Sequence, residues 1–309
     1  MRREDFYFES RDEKTKLHAV RWEPDNKNPI AVVQIIHGMA EHVGRYEKFA
    51  EFLVSKNFVV TAEDHLGHGL SIVDDKKGYF CKNDPATVVV KDVHRLKKLT
   101  QEKFPGIPYF ILGHSMGSFI LRNYLFGYGK GIDGAIIIGT GMTGKTQILF
   151  LKFMAFLGSV FGHAQRPSEF ISRIAFGAYQ KRINNPRTEY DWLTRDDKAV
   201  DEYLSDELSG FLFPCNGFKT LADLILRLHK KNYVAKMPVT LRVLIAGGTE
   251  DPVGDYGQAP KNVYKAFVSE GMQKVELILY ENDRHEILNE MNKEAVYEDI
   301  YQWMIREGF

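Results

Sequence analysis

Short apolar runs alternate with longer amphipathic stretches along most of the chain. The runs rich in Val, Ile and aromatic residues, which predict buried strands, lie at 30–36, 58–62, 109–112, 134–139, 241–246 and 275–280. Residues 46–55 and Pro85–Lys103 instead carry apolar residues at helical spacing, with Val89 and Val93 on one stripe of the second segment. Strands that alternate with helices in this way predict an α/β fold, a parallel sheet with helices on both faces.

Two regions depart from this alternation. At the N-terminus, the strand-prone runs 5–9 and 16–22 flank a polar turn, which predicts an antiparallel hairpin at the edge of the sheet. From residue 141 to about 235 the chain shows no strand pattern, but several helical patterns rich in Phe, Leu and Met. We therefore expect a core domain of residues 1–140 and 236–309, with residues 141–235 inserted as a helical cap between two strands.

Composition and charge narrow the classes of function and compartment. The 309 residues include 41 Lys plus Arg and 41 Asp plus Glu, and this zero net charge argues against a nucleic-acid partner, which would need a basic excess. Cys81 and Cys215 are too few for a disulfide framework, so a reducing compartment is the default. No signal-peptide pattern is visible, and the longest apolar run, 148–161, is shorter than a bilayer-spanning helix and contains Lys152. These features predict a cytoplasmic protein.

The candidate chemistry is organised around residues 113–117, which read Gly-His-Ser-Met-Gly, a G-x-S-x-G motif. The motif follows the apolar run 109–112 and precedes a helical pattern over 118–125. Strand, tight turn and helix is the context in which this motif presents its serine at the end of a sheet strand. The turn strains the backbone at the serine, and the flanking glycines leave room for close neighbouring segments. Ser115 is therefore the predicted nucleophile.

A serine hydroxyl needs a base beside it and a third group that orients the base. On a sheet of this kind the two partners follow later strands, in the chain order Ser, acid, His. Asp251 lies in the loop after the run 241–246, and His285 lies in the loop after 275–280. We predict Asp251 as the orienting acid and His285 as the base.

Other side chains compete for these two roles. Glu250 and Asp255 share the loop of Asp251, but an Asp-Pro pair directly after a strand suits a fixed turn and favours Asp251. Asp283 lies too close to His285 along the chain to reach the far ring nitrogen. Five other histidines are expected to pack or to bind loop backbone groups: His37, His42, His65, His68 and His114.

The oxyanion of a tetrahedral intermediate needs two backbone N–H donors. One is expected from Met116, directly after the nucleophile at the start of a helix. The other is expected from the loop after the strand 30–36, at Met39. These two N–H groups form the predicted oxyanion hole.

A second motif supports a different class of protein. Residues 139–146, Gly-Thr-Gly-Met-Thr-Gly-Lys-Thr, match the phosphate-binding P-loop pattern literally and follow a strand. Against a nucleotide site, this strand is late in the chain, the following helix is strongly apolar, and no clear later strand ends in an Asp that would hold Mg²⁺. The serine hypothesis rests on three separated features in the right order, whereas the P-loop hypothesis rests on one octapeptide.

Several blocks together resemble the monoacylglycerol lipase and lysophospholipase branch of the α/β-hydrolases: residues 37–46, 64–71, 113–117, 251–254 and 284–286. The resemblance implies an α/β-hydrolase fold, with a mostly parallel eight-stranded sheet and a helical cap, and carboxylic ester hydrolysis without a cofactor or metal. It also implies that Glu41 and Arg45 are polar groups near the alcohol side of the site. Leu66 stands where an arginine is common in this family, so no charge role is carried over to that position.

The expected reaction is hydrolysis of lipid-like esters through an acyl-enzyme intermediate. Monoacylglycerols, lysophospholipids and short- to medium-chain esters are the expected substrates, all small molecules with an apolar acyl chain. A serine peptidase or amidase on the same fold is the alternative. The apolar cap run 148–161 is also a candidate for weak contact with a lipid surface.

Overall fold

An eight-stranded sheet runs through the part of the chain that the computed structural model describes, residues 1–26, 28–231 and 233–307. Its strands are β1 (Arg2–Glu9), β2 (Lys16–Glu23), β3 (Ala31–Ile36), β4 (Phe58–Glu63), β5 (Tyr109–His114), β6 (Gly134–Ile138), β7 (Arg242–Gly248) and β8 (Lys274–Tyr280). Their order across the sheet is β1-β2-β4-β3-β5-β6-β7-β8. β1 and β2 form an antiparallel hairpin that pairs antiparallel with β4, and all other pairs are parallel. The predicted mostly parallel sheet with a hairpin at its edge is confirmed.

Helices cover both faces of the sheet. The described α-helices are α1 (Glu47–Ser55), α2 (Pro85–Lys103), α3 (Met116–Tyr128), α4 (Lys145–Gly158), α5 (Glu169–Phe176), α6 (Asp197–Ser205), α7 (Cys215–Leu228), α8 (Gln258–Ser269) and α9 (Lys293–Ile305). Successive strand residues point to opposite faces, so in β3 Val32 packs on one side and Val33 on the other. The Val32 side forms a core with α2, α3 and α8, and the Val33 side forms a core with α1 and α9.

Between β6 and β7 the described residues form no strand, and this stretch holds α4 to α7. α4 packs against α7, and α7 in turn packs against α2 and α3. A π-helical turn over Ser159–His163 continues α4, so that the helical stretch Lys145–His163 has 19 residues. By length and composition alone this stretch is sufficient to cross a membrane. The expectation that this segment is too short is therefore wrong, because the helix extends beyond the apolar run at both ends.

The parallel strands direct the candidate residues to one edge of the sheet. β3, β5, β7 and β8 run in the same direction. The loops that follow these four strands therefore meet at their carboxyl ends, which is where open α/β sheets form their sites.

Candidate active site

The turn between β5 and α3 presents Ser115 in a strained conformation. Its φ of 53° and ψ of −119° lie in a region that non-glycine residues rarely adopt. The flanking glycines make this turn possible, since a Cβ at Gly117 would overlap the carbonyl oxygen of Ile36, and one at Gly113 would overlap that of Gly117. The Ser115 N–H donates to the Ile138 carbonyl at 3.0 Å, which fixes the turn against β6.

His285 and Asp251 form a buried hydrogen-bonded pair. The His285 Nδ1 and the Asp251 Oδ1 lie 3.0 Å apart, and the same oxygen accepts from the Val253 N–H at 2.8 Å. Since a carboxylate can only accept a hydrogen bond, Nδ1 carries the proton and donates it to this bond, which leaves the other ring nitrogen, Nε2, as an acceptor. This is the tautomer that a general base needs.

The rival carboxylates have other surroundings. Asp283 accepts from Arg195 at 2.6 Å and from Asn292 at 3.1 Å. Glu250 and Asp255 are exposed. Within the described residues, none of these three hydrogen-bonds the imidazole of His285, so the geometry agrees with Asp251 as its partner.

A cavity of about 1180 Å³ opens over the edge of the sheet. Ser115, His285, Met39 and Met116 all line it. Met116 begins α3, and the first N–H groups of a helix have no acceptor within the helix. Within the described part of the chain, the Met39 N–H makes no hydrogen bond either. The two predicted oxyanion donors therefore lie at the same cavity as the predicted nucleophile.

The oxyanion loop, which we define as residues 37–41, lies close to the serine. A Cβ added at Gly38 would be 3.2 Å from the Cβ of Ser115 and 2.5 Å from the Oε1 of Glu41. The Gly38 N–H donates to that Glu41 oxygen at 2.5 Å. Glycine at this position lets the loop approach the serine, and Glu41 fixes the peptide next to Met39.

Glu41 and Arg45 line the cavity, as the resemblance implies, but their charges are already paired. Arg45 donates to Glu41 at 2.8 Å and forms a two-pronged pair with Glu286 at 2.6 and 2.7 Å. Burial opposes the charge on Arg45, but the two carboxylates outweigh it and hold the pKa of Arg45 well above its ordinary value. The site therefore has one polar wall in which two carboxylates share one guanidinium.

Three histidines, His37, His65 and His68, hold loop backbone groups near the oxyanion loop, and His65 donates from Nε2 to the His37 carbonyl at 3.3 Å. His37 donates from Nδ1 to the Gly38 carbonyl at 2.8 Å and accepts from the His65 N–H at 3.0 Å. His68 donates from Nδ1 to the Leu66 carbonyl at 3.0 Å. Burial lowers the pKa of His37 to about 3 and that of His68 to about 4, so both are neutral at pH 7. These contacts are those of structural histidines.

His42 and His114 contact acidic side chains and not only loop backbone groups. His42 Nε2 lies 2.7 Å from the Oδ2 of Asp206. His114 Nδ1 lies 3.1 Å from the Oε1 of Glu41, and its ring also lies against that of His285, with 4.8 Å between centroids. His114 therefore does more than fill space in the elbow.

An aromatic side chain that the sequence did not single out, Trp192, packs against the ring of His285. The Trp192 ring lies 5.2 Å from the His285 ring, between centroids. Tyr179 packs edge-on against Trp192 at 4.9 Å, and both line the cavity. No periodicity marks either residue, because both lie in irregular segments between α5 and α6.

Residues 191–195, which we call the strap, bind the loop that carries His285. The Glu286 N–H donates to the Leu193 carbonyl at 2.7 Å. Arg284 reaches from the other side and donates to the carbonyls of Asp191 at 2.5 Å and Thr194 at 3.1 Å. The two residues that flank His285 are thus both hydrogen-bonded to the strap.

Arg195 adds two ion pairs to this attachment. It donates to Asp283 at 2.6 Å and to Glu290 at 3.0 Å, and both carboxylate side chains are completely buried. Its backbone N–H also donates to Glu290 at 3.1 Å. Since buried charges need partners, Arg195 makes the histidine loop depend on a residue of the inserted segment.

The P-loop-like residues 139–146 form part of the cavity wall. Gly139 follows β6, and the Gly141 carbonyl accepts from Arg122 at 3.1 Å. Residues 142–144 line the cavity, and Lys145 begins α4. The segment therefore leads from the sheet into the inserted helices.

Comparison with known proteins decides the family. The profile of a hydrolase family described as serine aminopeptidase, S33, matches residues 27–292. The chain belongs to this family. The monoglyceride lipase of Mus musculus is 26% identical to this chain over 293 residues, or 92% of this chain and 84% of that protein.

Two further known proteins match this chain over most of its length. The monoacylglycerol lipase of Mycolicibacterium smegmatis is 25% identical over 286 residues, covering 92% of this chain and 91% of that protein. The crystal structure of a thermostable carboxyl esterase from Bacillus coagulans, in complex with glycerol, has a TM-score of 0.90 at 29% identity and covers 98% of both chains. The α/β-hydrolase fold and the resemblance to the monoacylglycerol lipase branch are confirmed, and the chain is a hydrolase.

Proposed function

We propose that this S33 member is a carboxylic ester hydrolase that acts on lipid-like esters through an acyl-enzyme formed at Ser115. The observation that carries the proposal is the buried His285–Asp251 hydrogen bond of 3.0 Å, at a cavity that also exposes Ser115 on a strained turn. The relatives named as monoglyceride lipases and the esterase of the same fold support ester chemistry.

In the proposed reaction the Ser115 Oγ attacks the ester carbonyl while His285 Nε2 takes the hydroxyl proton. The N–H groups of Met39 and Met116 donate to the oxyanion, and loss of one such donor typically costs about 3 kcal/mol of transition-state stabilisation. His285 then gives the proton to the leaving alcohol. In the second half it takes a proton from water, whose oxygen attacks the acyl carbonyl, and it returns that proton to the Ser115 Oγ as the acid leaves. Asp251 holds the Nδ1–H throughout.

The shape and lining of the cavity support an acyl substrate. Its volume of about 1180 Å³ exceeds the range of about 300 to 1,000 Å³ that is usual for small-molecule sites. Its apolar wall is contributed by the inserted helices, through Phe150, Leu151, Ile174, Phe176, Leu221 and Ile225. We assign this wall to the acyl chain of a monoacylglycerol, lysophospholipid or shorter ester, and the wall of Glu41 and Arg45 to its alcohol part.

The family description makes aminopeptidase activity the second candidate. An aminopeptidase must bind the ammonium group of its substrate, which requires a carboxylate with a free charge. Glu41 and Glu286, the buried carboxylates of the cavity, already bind Arg45. Because the exposed Glu169, Glu189 and Asp255 also line the cavity, this pairing excludes only the buried carboxylates from binding an ammonium group.

A hydrolysis panel separates these candidates. Wild-type protein is tested on p-nitrophenyl esters, monoacylglycerols, lysophosphatidylcholine and aminoacyl amides, and is labelled with a fluorophosphonate. We expect ester hydrolysis and labelling, both lost in Ser115→Ala and both kept in Ser269→Ala, a matched change at an exposed serine of α8. Faster turnover of aminoacyl amides than of every ester would favour the aminopeptidase, and hydrolysis that survives in Ser115→Ala would overturn the mechanism.

We also propose that residues 141–235 act as a cap over a core of residues 1–140 and 236–309, and that a cytoplasmic protein touches lipid surfaces through it. α4 turns Phe153 and Phe156 outward, away from the cavity lining, with exposures of 55 and 51%. Phe161, in the turn after α4, is 75% exposed. A contiguous apolar face of this kind is typical of an interaction surface, and a lipid surface would supply the proposed substrate.

A further inference from the structure

The polar wall of the cavity contains one more negative charge than its arginine can balance. Arg45 donates to Glu41 and, through both terminal nitrogens, to Glu286. The Glu41 and Glu286 side chains are each 4% exposed, and that of Arg45 is 11% exposed. Two buried carboxylates against one guanidinium leave a net charge of −1, which is costly away from water unless another cation is present.

His114 lies where that cation would be. Its Nδ1 is 3.1 Å from the Glu41 Oε1, and its Nε2 is 3.3 Å from the carbonyl oxygen of His285. Both neighbours are acceptors. A neutral imidazole has one N–H and one lone pair, so a neutral His114 would direct a lone pair at either a carboxylate or a carbonyl. A doubly protonated ring satisfies both neighbours.

Tyr46 offers the one alternative donor to His114 among the described residues. Its hydroxyl is 3.1 Å from the His114 Nδ1 and 2.9 Å from the Glu41 Oε1. The Nδ1 of a neutral His114 could accept a hydrogen bond from the Tyr46 hydroxyl only if Tyr46 gave up its shorter bond to the Glu41 carboxylate. The lone pair of Nδ1 would then still lie beside the Glu41 oxygen, so the geometry favours a proton on Nδ1.

The titratable and charged groups that face His114 are Glu41, Tyr46, Arg45, Glu286 and His285. Burial lowers the pKa of His114, but the hydrogen bond and charge of Glu41, with a contribution from Glu286, outweigh it, and the net direction is upward. The same cluster holds the Glu41 pKa well below its ordinary value, against the effect of burial.

We propose that His114 is an imidazolium in the resting enzyme and that it positions both halves of the catalytic machinery. Its Nδ1–H binds Glu41, which accepts the Gly38 N–H at 2.5 Å in the oxyanion loop. Its Nε2–H binds the backbone carbonyl of His285, the base. His114 is thus a positioning residue. That role rests on the proposed function, whereas its charge state does not.

The charge is tested by ¹H–¹⁵N spectra of the full-length protein labelled at its 10 histidines. At about pH 7.5, one unit above the ordinary histidine pKa of about 6.5, we expect an imidazolium signal that is absent in His114→Gln. His18 is an internal reference, because it lies between Asp64 at 2.8 Å and Asp5 at 3.0 Å and is expected to be an imidazolium as well. A spectrum in which His18 alone is charged overturns the proposal.

A second variant tests the reason for the charge and does not depend on His114→Gln being folded. Glu41→Gln keeps an oxygen that accepts the Gly38 N–H but removes one negative charge. We expect the His114 imidazolium signal to become neutral at about pH 7.5, while the His18 signal is unchanged. A His114 signal that stays cationic in Glu41→Gln contradicts the charge-balance argument.

Kinetics test the positioning role separately. In the wild type, kcat is expected to fall on the alkaline side as His114 loses its proton, with little change in KM. His114→Gln is expected to lower kcat roughly ten-fold and to lack this alkaline limb, because its amide does not titrate. An unchanged alkaline limb in the variant overturns the positioning role. Absence of esterase activity in the wild type would instead overturn the proposed function and leave the spectral result standing.

Discussion

Two parts of the proposed cap, the strap and α4, differ in what they contact. The strap, residues 191–195, is attached to the loop of His285 by backbone hydrogen bonds and by the ion pairs of Arg195. α4 buries Ile148, Leu151 and Ala155 but exposes all three of its phenylalanines. The strap is therefore part of the structure that holds the proposed base, whereas α4 presents an apolar face that is not packed within the fold.

This difference separates the part of the protein that fixes the position of His285 from the part that can bind lipid. Polar contacts have strict distance requirements, so the strap can hold the histidine loop in one arrangement. Apolar contacts are not directional, so the outer face of α4 can accept acyl chains or a lipid surface of varied composition. We infer that substitutions in the strap change kcat and stability, while those on α4 change where the protein binds.

Removal of the strap's ion pairs has the largest expected effect. Arg195→Ala leaves Asp283 and Glu290 buried without their cation, and we expect a loss of roughly 2 to 3 kcal/mol in the free energy of unfolding, with a lower kcat. Urea denaturation measures the first and ester hydrolysis the second. Arg187→Ala is the matched control, since Arg187 pairs with the exposed Asp201 at the surface and its removal should change stability much less. Equal losses of unfolding free energy in the two variants would contradict a special role of the strap in holding the histidine loop.

Polar substitution on α4 is expected to change lipid binding alone. Phe153→Ser with Phe156→Ser should weaken binding to phospholipid vesicles at least ten-fold, because each exposed Phe offers about 1.5 kcal/mol or more of apolar burial. Stability should stay within about 0.5 kcal/mol, as for other surface substitutions.

Vesicle co-sedimentation measures the binding, and hydrolysis of a soluble p-nitrophenyl ester measures the activity that should stay unchanged. The matched control is Val73→Ser with Val268→Ser, two exposed apolar residues outside the cap. If that pair weakens vesicle binding as much as the α4 pair, the lipid-facing role of α4 is wrong.

Trp192 tests whether the strap reaches the base. Trp192→Ala removes the ring that lies 5.2 Å from the His285 ring, and we expect kcat to fall roughly ten-fold through loss of positioning. Trp192→Phe keeps an aromatic ring and should recover most of the rate. Steady-state kinetics on a soluble ester decides, and a Trp192→Ala variant with wild-type kcat would limit the strap to a structural role.

At neutral pH the smallest expected effect is that of the buried neutral histidines, whose contribution to stability changes only in acid. The pKa of His68 is lowered to about 4 by burial, so between the ordinary value of about 6.5 and pH 4 the unfolded chain binds a proton that the folded chain does not. Stability contributed by this histidine is present above pH 6.5 and is lost as the pH falls to about 4.

His68→Gln should therefore reduce the acid loss of stability by up to about 1.4 kcal/mol per pH unit in this window. Urea denaturation at several pH values measures it, with the exposed His163→Gln as control. An unchanged slope in His68→Gln would show that its protonation does not differ between the two states.

The sequence was informative where local chemistry and strand pattern coincide. Ser115, Asp251 and His285 each follow a strong apolar run, so their loops were expected at one edge of the sheet, and the structure places His285 against Asp251 there. The hairpin of β1 and β2 was readable from its turn and strand-prone runs.

Contacts between distant segments without periodicity could not be read. Arg195 meets Asp283 88 residues further along the chain, and nothing in either local sequence indicates the pair. Trp192 lies in an irregular segment, where an aromatic residue predicts no particular neighbour. His114 and Glu41 lie in loops that are far apart in the sequence, so their contact, and the buried charges around it, become visible only in the folded structure.

The central claim is that the fold makes Ser115 nucleophilic. Peptide mass spectrometry after treatment with a fluorophosphonate tests it most directly, because the reagent modifies only a serine that is activated in place. We predict one adduct, on the peptide that contains Ser115, and none in the His285→Gln variant. An adduct on another residue, or an unmodified Ser115 in protein that hydrolyses esters, would contradict the account.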